Sequence, residues 1–159
     1  MQLISQQLLD DLVRRARAAP RRRANHNLHP TLEDPVQRLF VGAMADTYFR
    51  PHRHPTQWEC ALVLRGAFDV CFLDDAGVVT RRVRLAAGGE VCGFEIPAQT
   101  WHGWVAVEDD SIFFEVKQGP YDPVHGLTFA PWAPPEGDPR VGAFLARLRA
   151  AQPGDRLAG

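Results

Sequence analysis

The sequence predicts an all-β protein that carries one helix near its N-terminus and a short helix near its C-terminus. Three observations favour this class. Short apolar runs between residues 36 and 118 are separated by turns that contain Gly, Asp or Pro, a pattern typical of an antiparallel sandwich or barrel. Apolar residues at helical spacing occur near the two ends. One of the apolar runs opens on a carboxylate, Glu59, which needs a polar partner if the strand is buried.

The first element is an amphipathic helix over residues 5–16. Ser5 can cap its start, because a hydroxyl oxygen accepts a hydrogen bond from a free N–H of the first turn, and Pro20 ends it. A second helix is predicted over residues 139–148. The apolar stripes of both helices follow the helical spacing: Leu8, Leu9, Leu12, Val13 and Ala16 in the first, and Phe144, Leu145 and Leu148 in the second.

Eight strands are predicted between the helices, with turns at residues 74–77 and 87–89. Residues 120–135, which are rich in proline and aromatic side chains, are expected to wrap the surface as an ordered arm. Residues 152–159 are expected to form a frayed tail. The predicted strands are Gln37–Met44, Thr47–Arg50, Glu59–Leu64, Phe68–Leu73, Val79–Leu85, Val91–Ile96, Gly103–Val107 and Ser111–Val116.

A turn at residues 65–66 would join two of these strands as a hairpin. In that register Glu59 lies opposite Phe72, and Cys60 lies opposite Cys71 as a pair of free thiols. The inner face of the hairpin then carries apolar side chains and a single carboxylate. Its outer face is also apolar, so that a second layer or a second subunit has to cover it: Cys60, Leu62, Leu64 and Leu73.

Composition and charge narrow the class of function. The 159 residues are 45% apolar and 23% charged, which is typical of a globular protein. One domain is expected over residues 1–159, with the helix in 1–20, the barrel in 36–118 and the arm, helix and tail in 119–159. A net charge of −1 gives no general attraction to nucleic acid or membranes. No apolar run has the length of a membrane span and residues 1–4 do not begin a signal sequence, so a cytoplasmic location is expected.

Three histidines and one glutamate have the spacing of a metal site. His52 and His54 are two residues apart and project from the same face of an extended strand. Glu59 opens the next apolar run, and His102 comes from a distant segment after a proline-led turn. A set of histidine and carboxylate ligands without cysteine favours Fe(II), Mn(II), Ni(II), Co(II) or Zn(II). The sequence therefore predicts one divalent metal ion.

The same residues resemble the two motifs of the cupin family: His52-Arg53-His54, Glu59 and Gly66 for the first motif, and Pro97 through His102 for the second. The resemblance implies a jelly-roll β-barrel in which His52, His54, Glu59 and His102 bind one metal ion. Three positions depart from the motifs and concern turn geometry more than the ligands: Asp46, Gln99 and Ala106.

A closer resemblance, which covers most of the chain, is to the WbuC-type cupin-fold metalloproteins. It is carried by three segments: Pro20–His29, Leu32–Arg38 and Phe114–Tyr121. Members of that group often lie in O-antigen or other surface-polysaccharide gene clusters. The resemblance implies a fold, a metal site and a polysaccharide context that favours a small anionic or sugar-derived ligand, without implying a particular substrate or reaction.

A polar segment and nearby aromatic residues are predicted to bind that ligand. Arginines can hold a phosphate or carboxylate, and aromatic faces can stack on a sugar ring. The alternative is a solvated helix exit whose arginines pair with acidic side chains of the same subunit, beside aromatics that only pack the core. Lys117, Glu95 and Glu115 are acid–base candidates only if they face the barrel. The predicted ligand-binding residues are Arg21, Arg23, Asn25, His26, His29, Tyr48 and Trp104.

Two functions from different classes fit these observations. The first is a metal-dependent enzyme, either an isomerase or epimerase or a dioxygenase, that acts on a small oxygen-rich ligand. The second is a non-catalytic module that binds or senses a sugar nucleotide or organic acid. A purely structural metal is the third and weakest hypothesis, since a barrel of this size can form its core without one. The apolar outer face predicts a homodimer.

Overall fold

Ten strands and two helices make up the described part of the chain, residues 1–158 of a computed structural model. The helices are α1 (Gln6–Ala18) and α2 (Val141–Ala150). The strands are β1 (Arg23–Asn27), β2 (Val36–Ala43), β3 (His52–Arg53), β4 (Glu59–Arg65), β5 (Ala67–Leu73), β6 (Val79–Ala86), β7 (Gly93–Ile96), β8 (Trp101–Ala106), β9 (Ser111–Gln118) and β10 (Thr128–Phe129).

The strands form two antiparallel sheets of five strands each. The first sheet has the order β1-β2-β9-β4-β7, and the second has the order β10-β3-β8-β5-β6. Apart from the pairs β1–β2 and β5–β6, consecutive strands cross from one sheet to the other, as between β4 and β5, which is the arrangement of a jelly roll. The predicted class, an all-β cupin jelly-roll barrel with an N-terminal helix and a short C-terminal helix, is confirmed.

The main core lies between the two sheets. It buries apolar side chains from both, with Phe68 and Val70 of the second sheet fully inaccessible to solvent. Trp104 stacks on Phe113 across the interior, with ring centroids 4.3 Å apart. Burying such aromatic and aliphatic side chains contributes about 1.5–3 kcal/mol each. This interior is interrupted at one end by polar residues, described below.

The two helices cover the outer faces of the sheets. Ser5 accepts a hydrogen bond from the N–H of Leu8 and caps α1, as the sequence predicts. The apolar stripe of α1 packs against Phe40 of β2 and Ile112 of β9 on the first sheet. The stripe of α2 packs on the second sheet beside Trp101. Both predicted stripes are buried, with the exception of Leu8, which is only partly covered.

The predicted hairpin register is wrong. Strands β4 and β5 follow one another through a turn at Gly66, whose φ is +67°, but they lie in different sheets. Glu59 therefore pairs with Ile96 and Lys117 rather than with Phe72. The predicted opposition of Cys60 and Cys71 fails for the same reason, because the chain crosses between sheets at this turn instead of folding back within one. Within the described part of the chain all three cysteines are free thiols.

The alternation of side chains along β4 nevertheless places its inner and outer residues as predicted. Glu59, Ala61 and Val63 point into the barrel, and Leu62 and Leu64 lie on the outer face with 44% and 40% of their surface exposed. Two further expectations need correction. Residues 47–50 are not a strand, and residues 23–27, part of the polar segment that is predicted to bind the ligand, form edge strand β1.

The end of the chain is packed against the second sheet rather than frayed. The N–H of Val79 donates to the carbonyl of Asp155 at 2.8 Å, and Leu157 is 2% exposed. The last residue of the predicted tail, Gly159, lies outside the described residues. Neither helix in residues 1–158 is long and apolar enough to cross a membrane.

Candidate metal centre and adjoining cavity

The four predicted ligands converge at one end of the barrel, and each sheet contributes to the cluster. His52 on β3 is paired directly with His102 on β8 in the second sheet, and His54 follows immediately after β3. Glu59 is the first residue of β4 in the first sheet. One ligand atom from each residue can be chosen so that all four lie within 4.8 Å of one another. Two opposite ligands of one ion, each about 2.0–2.2 Å from it, are separated by roughly 4–4.5 Å.

Backbone carbonyls fix the orientation of all three imidazoles. The Nδ1 atoms of His52, His54 and His102 lie 3.0, 2.8 and 3.0 Å from the carbonyl oxygens of Arg50, Gly126 and Thr100. A carbonyl oxygen only accepts hydrogen bonds, so each Nδ1 carries the proton. In a neutral imidazole the Nε2 atom then presents a lone pair. Such hydrogen bonds are typical of metal-binding histidines, because they set the tautomer and the ring orientation.

The Nε2 lone pairs of His54 and His102 face the carboxylate of Glu59. This arrangement requires a cation between the imidazoles and the carboxylate. Nε2 of His54 lies 3.0 Å from Oε2 of Glu59. Nε2 of His102 lies 3.6 Å from the same oxygen, is fully buried and has no hydrogen-bond partner among residues 1–158. Two lone pairs repel one another, so the arrangement is favourable only with a proton or a metal ion at its centre. The residues present therefore fit one divalent ion.

Electrostatics keep His52 and Glu59 in the protonation states that a metal requires. Burial alone would lower the pKa of His102, but the carboxylate of Glu59 outweighs it and raises that pKa. Burial, together with a smaller contribution from the neighbouring His102, lowers the pKa of His52 to about 3, so that the imidazole is neutral. Burial alone would raise the pKa of Glu59, but the imidazoles of His102 and His54 outweigh that effect and hold the pKa well below its usual value. A neutral imidazole and an ionised carboxylate are the forms that bind metal.

A cavity of about 240 Å³ adjoins the cluster. It lies below the roughly 300–1,000 Å³ of pockets for drug-sized ligands, which favours a small ligand. Its wall combines three of the four clustered residues with aromatic and charged side chains: Arg21, Arg23, Asn25, Phe49, His52, His54, Glu59, Trp104, Phe113, Glu115 and Lys117. A larger crevice of about 720 Å³ between residues 55–57 and 118–128 contains none of the four cluster residues.

Two charged residues that the sequence leaves undecided face this cavity. Glu115 and Lys117 lie on the inner side of β9, and Nζ of Lys117 is 2.6 Å from Oε1 of Glu115. Burial alone would lower the pKa of Lys117, but the carboxylates of Glu115 and Glu59 outweigh it and raise the pKa, so the ammonium stays charged. The third such residue, Glu95, is exposed on β7.

The arginines at the cavity mouth are paired within the chain. Nε of Arg21 lies 2.5 Å from Glu136, and a nitrogen of Arg23 lies 2.6 Å from the same carboxylate. Arg23 also donates to the carbonyl of Tyr48 at 2.5 Å. These partners match the alternative interpretation of the polar segment, in which arginines bind acidic groups of the same subunit. Glu136 directly follows the proline-rich arm, and nothing in the sequence marks it as a partner of these arginines.

Four of the seven predicted ligand-binding residues line the cavity and three lie elsewhere. Arg21, Arg23, Asn25 and Trp104 form part of its wall. His26 points to the opposite face of β1, toward Phe40 beneath α1. The remaining two, His29 and Tyr48, are buried away from the cavity.

His29 and Tyr48 are buried against other parts of the chain. Nδ1 of His29 accepts a hydrogen bond from the N–H of Arg38 at 3.0 Å. The hydroxyl of Tyr48 donates to the carbonyl of Pro134 at 2.9 Å, in the core beneath α2. Their expected place at the cavity is corrected, because His29 lies beyond the end of β1 and Tyr48 packs against Phe144 of α2.

The turn before His102 keeps its shape without the glycine that the second motif usually has. Gln99 adopts a positive φ of +66°, a conformation that costs a non-glycine residue of the order of 1 kcal/mol. Its N–H donates to the carbonyl of His54 at 2.8 Å, and its side-chain amide donates to the carbonyl of Pro55 at 2.6 Å. Gln99 thus ties the loop before His102 to the strand that carries the other two histidines.

Comparison with solved structures gives the same fold. KdgF from Halomonas sp. is 25% identical with a TM-score of 0.50, over 64% of this chain and 81% of that chain. An oxalate oxidase in complex with the substrate analogue glycolate is 22% identical with a TM-score of 0.55, over 85% and 69% of the two chains. A protein with a double-stranded β-helix domain from Klebsiella pneumoniae is 18% identical with a TM-score of 0.57, over 82% and 97%.

Comparison of the sequence adds a family. A model described as "Domain of unknown function (DUF6016)" matches residues 4–85, which is just over half of the chain. The matched segment contains α1, strands β1 to β5 and three of the four clustered residues, His52, His54 and Glu59. No match was found among curated proteins.

Proposed function

We propose that this chain, which belongs to the DUF6016 family, is a metal-binding cupin that takes a small, oxygen-rich ligand beside its metal ion. The observation that supports this best is the convergence of three oriented Nε2 atoms on one buried carboxylate. We further propose that the chain acts as one domain over residues 1–159.

One divalent ion, Fe, Mn, Ni, Co or Zn, would be held by His52, His54, Glu59 and His102. When bound, it supplies Lewis acidity to an oxygen of the ligand. The remaining work belongs to the chain itself. Trp104 and Phe113 exclude water from the inner end of the cavity, and Asn25 offers hydrogen bonds at its mouth.

An enzyme is the first candidate, as an isomerase or epimerase or as a dioxygenase. The buried Lys117–Glu115 pair supports it, because charged groups that face a cavity beside a metal site can hold or move a proton of a bound ligand. The solved oxalate oxidase of similar fold binds glycolate, a ligand of suitable size for about 240 Å³. The resemblance to WbuC-type proteins supports a sugar-derived or anionic ligand from surface-polysaccharide synthesis.

A non-catalytic binding module for a sugar nucleotide or organic acid is the second candidate. It is favoured by the pairing of Arg21 and Arg23 with Glu136, since side chains that are already held by an ion pair form a rigid surface for ligand binding. The two candidates differ in turnover. A binding module retains its ligand chemically unchanged over hours, whereas an enzyme converts it.

Metal content tests the shared part of the proposal. Protein purified without chelators is expected to carry close to one divalent first-row ion per chain by inductively coupled plasma mass spectrometry. Removing that ion with a chelator is expected to lower the melting temperature, because an ion that binds only the folded state stabilises it. A chain that holds less than about a tenth of an ion, and whose melting temperature does not respond to any of the five ions, would refute metal binding.

We also propose a homodimer through the outer face of β4. Leu62 and Leu64 are exposed there, and α1 covers only the neighbouring strands of that sheet. The double variant Leu62→Glu, Leu64→Glu is expected to be monomeric by light scattering while the unchanged protein is dimeric. Val124→Glu, at an apolar residue that is 72% exposed on another surface, should remain dimeric. A monomeric unchanged protein at high concentration would contradict the proposal.

A further inference from the structure

Lys117 has fewer partners than a buried ammonium needs. Its side chain is 17% exposed, and its single close acceptor within residues 1–158 is Oε1 of Glu115 at 2.6 Å. An ammonium group has three N–H donors, and each of them costs free energy if it is buried without an acceptor. Oε1 of Glu115 itself has no hydrogen-bond partner of good geometry within residues 1–158, so the two groups are held as an ion pair. Both residues lie on the wall of the cavity, where the donors of Lys117 are available to a ligand.

The cations at the mouth differ from Lys117 in this respect. Arg21 and Arg23 share the carboxylate of Glu136, and Arg23 is further bound to a backbone carbonyl. Their positive charge is already partly balanced by that carboxylate. Lys117 is the lining cation nearest the predicted ligands in the sheet, since it is paired across the strands with Glu59.

The net charge at the inner end of the cavity, where Glu59, Glu115 and Lys117 lie, changes sign when an ion binds. Glu59 and Glu115 carry two negative charges against the single positive charge of Lys117, which leaves one negative charge. A divalent ion turns this into one positive charge. In a water-poor cavity that excess favours a ligand with one negative charge.

We infer that the ligand is a small carboxylate, one end of which is bound by Lys117 while a neighbouring oxygen reaches the ion. The inference rests on the proposed function, because the ion supplies the second point of attachment. Glu115 then competes with the ligand for Lys117, because it holds the ammonium in place and shares it with the incoming carboxylate. Lys117 is a specificity-determining residue, since a neutral ligand of the same shape leaves its donors unsatisfied.

A carboxylate fits this end of the cavity better than a phosphate does. Phosphate sites are built from several backbone N–H groups at a helix N-terminus or from bidentate arginines. The inner end offers one ammonium beside a carboxylate, and the two arginines lie at the mouth, where Glu136 pairs with them. A dianion such as phosphate would also be repelled by Glu115.

Calorimetry on the full chain loaded with Mn(II) tests the inference, with glycolate as the carboxylate and glycolamide as its neutral analogue. The unchanged protein should bind glycolate at least about ten-fold more tightly than glycolamide. Lys117→Met should weaken glycolate by about ten-fold or more, with Mn(II) content unchanged. Glu115→Gln should strengthen glycolate, because it removes the competing charge and keeps an acceptor for Lys117.

Two control variants separate recognition from stability. Lys117→Arg keeps the positive charge and should retain most of the affinity for glycolate. Arg17→Ala removes an exposed cation that is paired with Asp110 and lies outside the cavity, and it should change the affinity by less than about three-fold. Far-ultraviolet circular dichroism checks that each variant is folded. If Lys117→Met does not fold, the inference is tested by the other two results: tighter glycolate binding by Glu115→Gln, and the preference of the unchanged protein for glycolate over glycolamide.

Several outcomes would overturn the inference while leaving the metal proposal intact. These are equal affinity of the Mn(II)-loaded protein for glycolate and glycolamide, tighter binding of inorganic phosphate than of glycolate, absence of glycolate binding, or equal weakening by Lys117→Met and Glu115→Gln. The last result would show that the pair only stabilises the barrel. Loss of Mn(II) from the unchanged protein would instead refute the metal proposal.

Discussion

Replacing His54 by alanine is expected to remove most of the bound metal and to leave both sheets folded. The substitution deletes one of four convergent ligand atoms and also the hydrogen bond from Nδ1 to the carbonyl of Gly126. Loss of an outer hydrogen bond to a metal ligand alone weakens metal binding by roughly 10–100-fold, so loss of the ligand should weaken it more. Metal content per chain, measured by mass spectrometry after gel filtration, checks this result.

The fold should survive because the main core does not include His54. That core is formed by aromatic and aliphatic side chains of both sheets, such as Phe68, Trp104 and Phe113. Urea unfolding of the metal-free proteins should therefore give similar free energies for the variant and the unchanged chain. His125→Ala is the matched control, since its side chain is 83% exposed and lies outside the cluster. A His54→Ala protein with a full complement of metal would contradict the assignment.

The clustered residues could be predicted from the sequence because their signal is local and chemical. His52 and His54 share a face through the two-residue period of a strand, and Glu59 is a rare carboxylate at the head of an apolar run. His102 is predicted because the segment from Pro97 to His102 resembles the second cupin motif. None of these inferences needs the strand order, since the alternation of faces is the same whichever strand lies alongside.

The orientation of Lys117 could not be predicted, because both faces of β9 are covered. Ile112 and Phe114 pack beneath α1, while Phe113 packs between the sheets, so the apolar pattern does not distinguish inside from outside. The partners of Lys117 depend on the pairing of β9 with β4, which brings together residues almost 60 positions apart. The error over the hairpin has the same origin, since a turn sequence does not say whether the chain folds back or crosses to the other sheet.

A buried arginine joins the C-terminal helix to the second sheet. Arg82 on β6 is 13% exposed in its side chain and lies 2.7 Å from Asp69, whose other oxygen is bound by Arg84. The same guanidinium donates to the carbonyl oxygens of Leu148, Arg149 and Ala151, at 3.0, 2.9 and 3.0 Å. Free carbonyls at the end of a helix need such donors, and a positive charge there also interacts favourably with the helix dipole.

Arg82→Ala is therefore expected to lower the free energy of unfolding by about 3 kcal/mol, because one partner of a buried ion pair is removed and three helix carbonyls lose their donor. Arg84 still pairs with Asp69, which keeps the loss near the lower end of the range for such pairs. In a domain of this size the melting temperature should fall by roughly 6–12 °C. Arg81→Ala, at an exposed arginine on the same strand, should change stability by less than about 0.5 kcal/mol. Urea unfolding of the two variants measures both values, and equal stability of Arg82→Ala and Arg81→Ala would show that α2 is held by its apolar stripe alone.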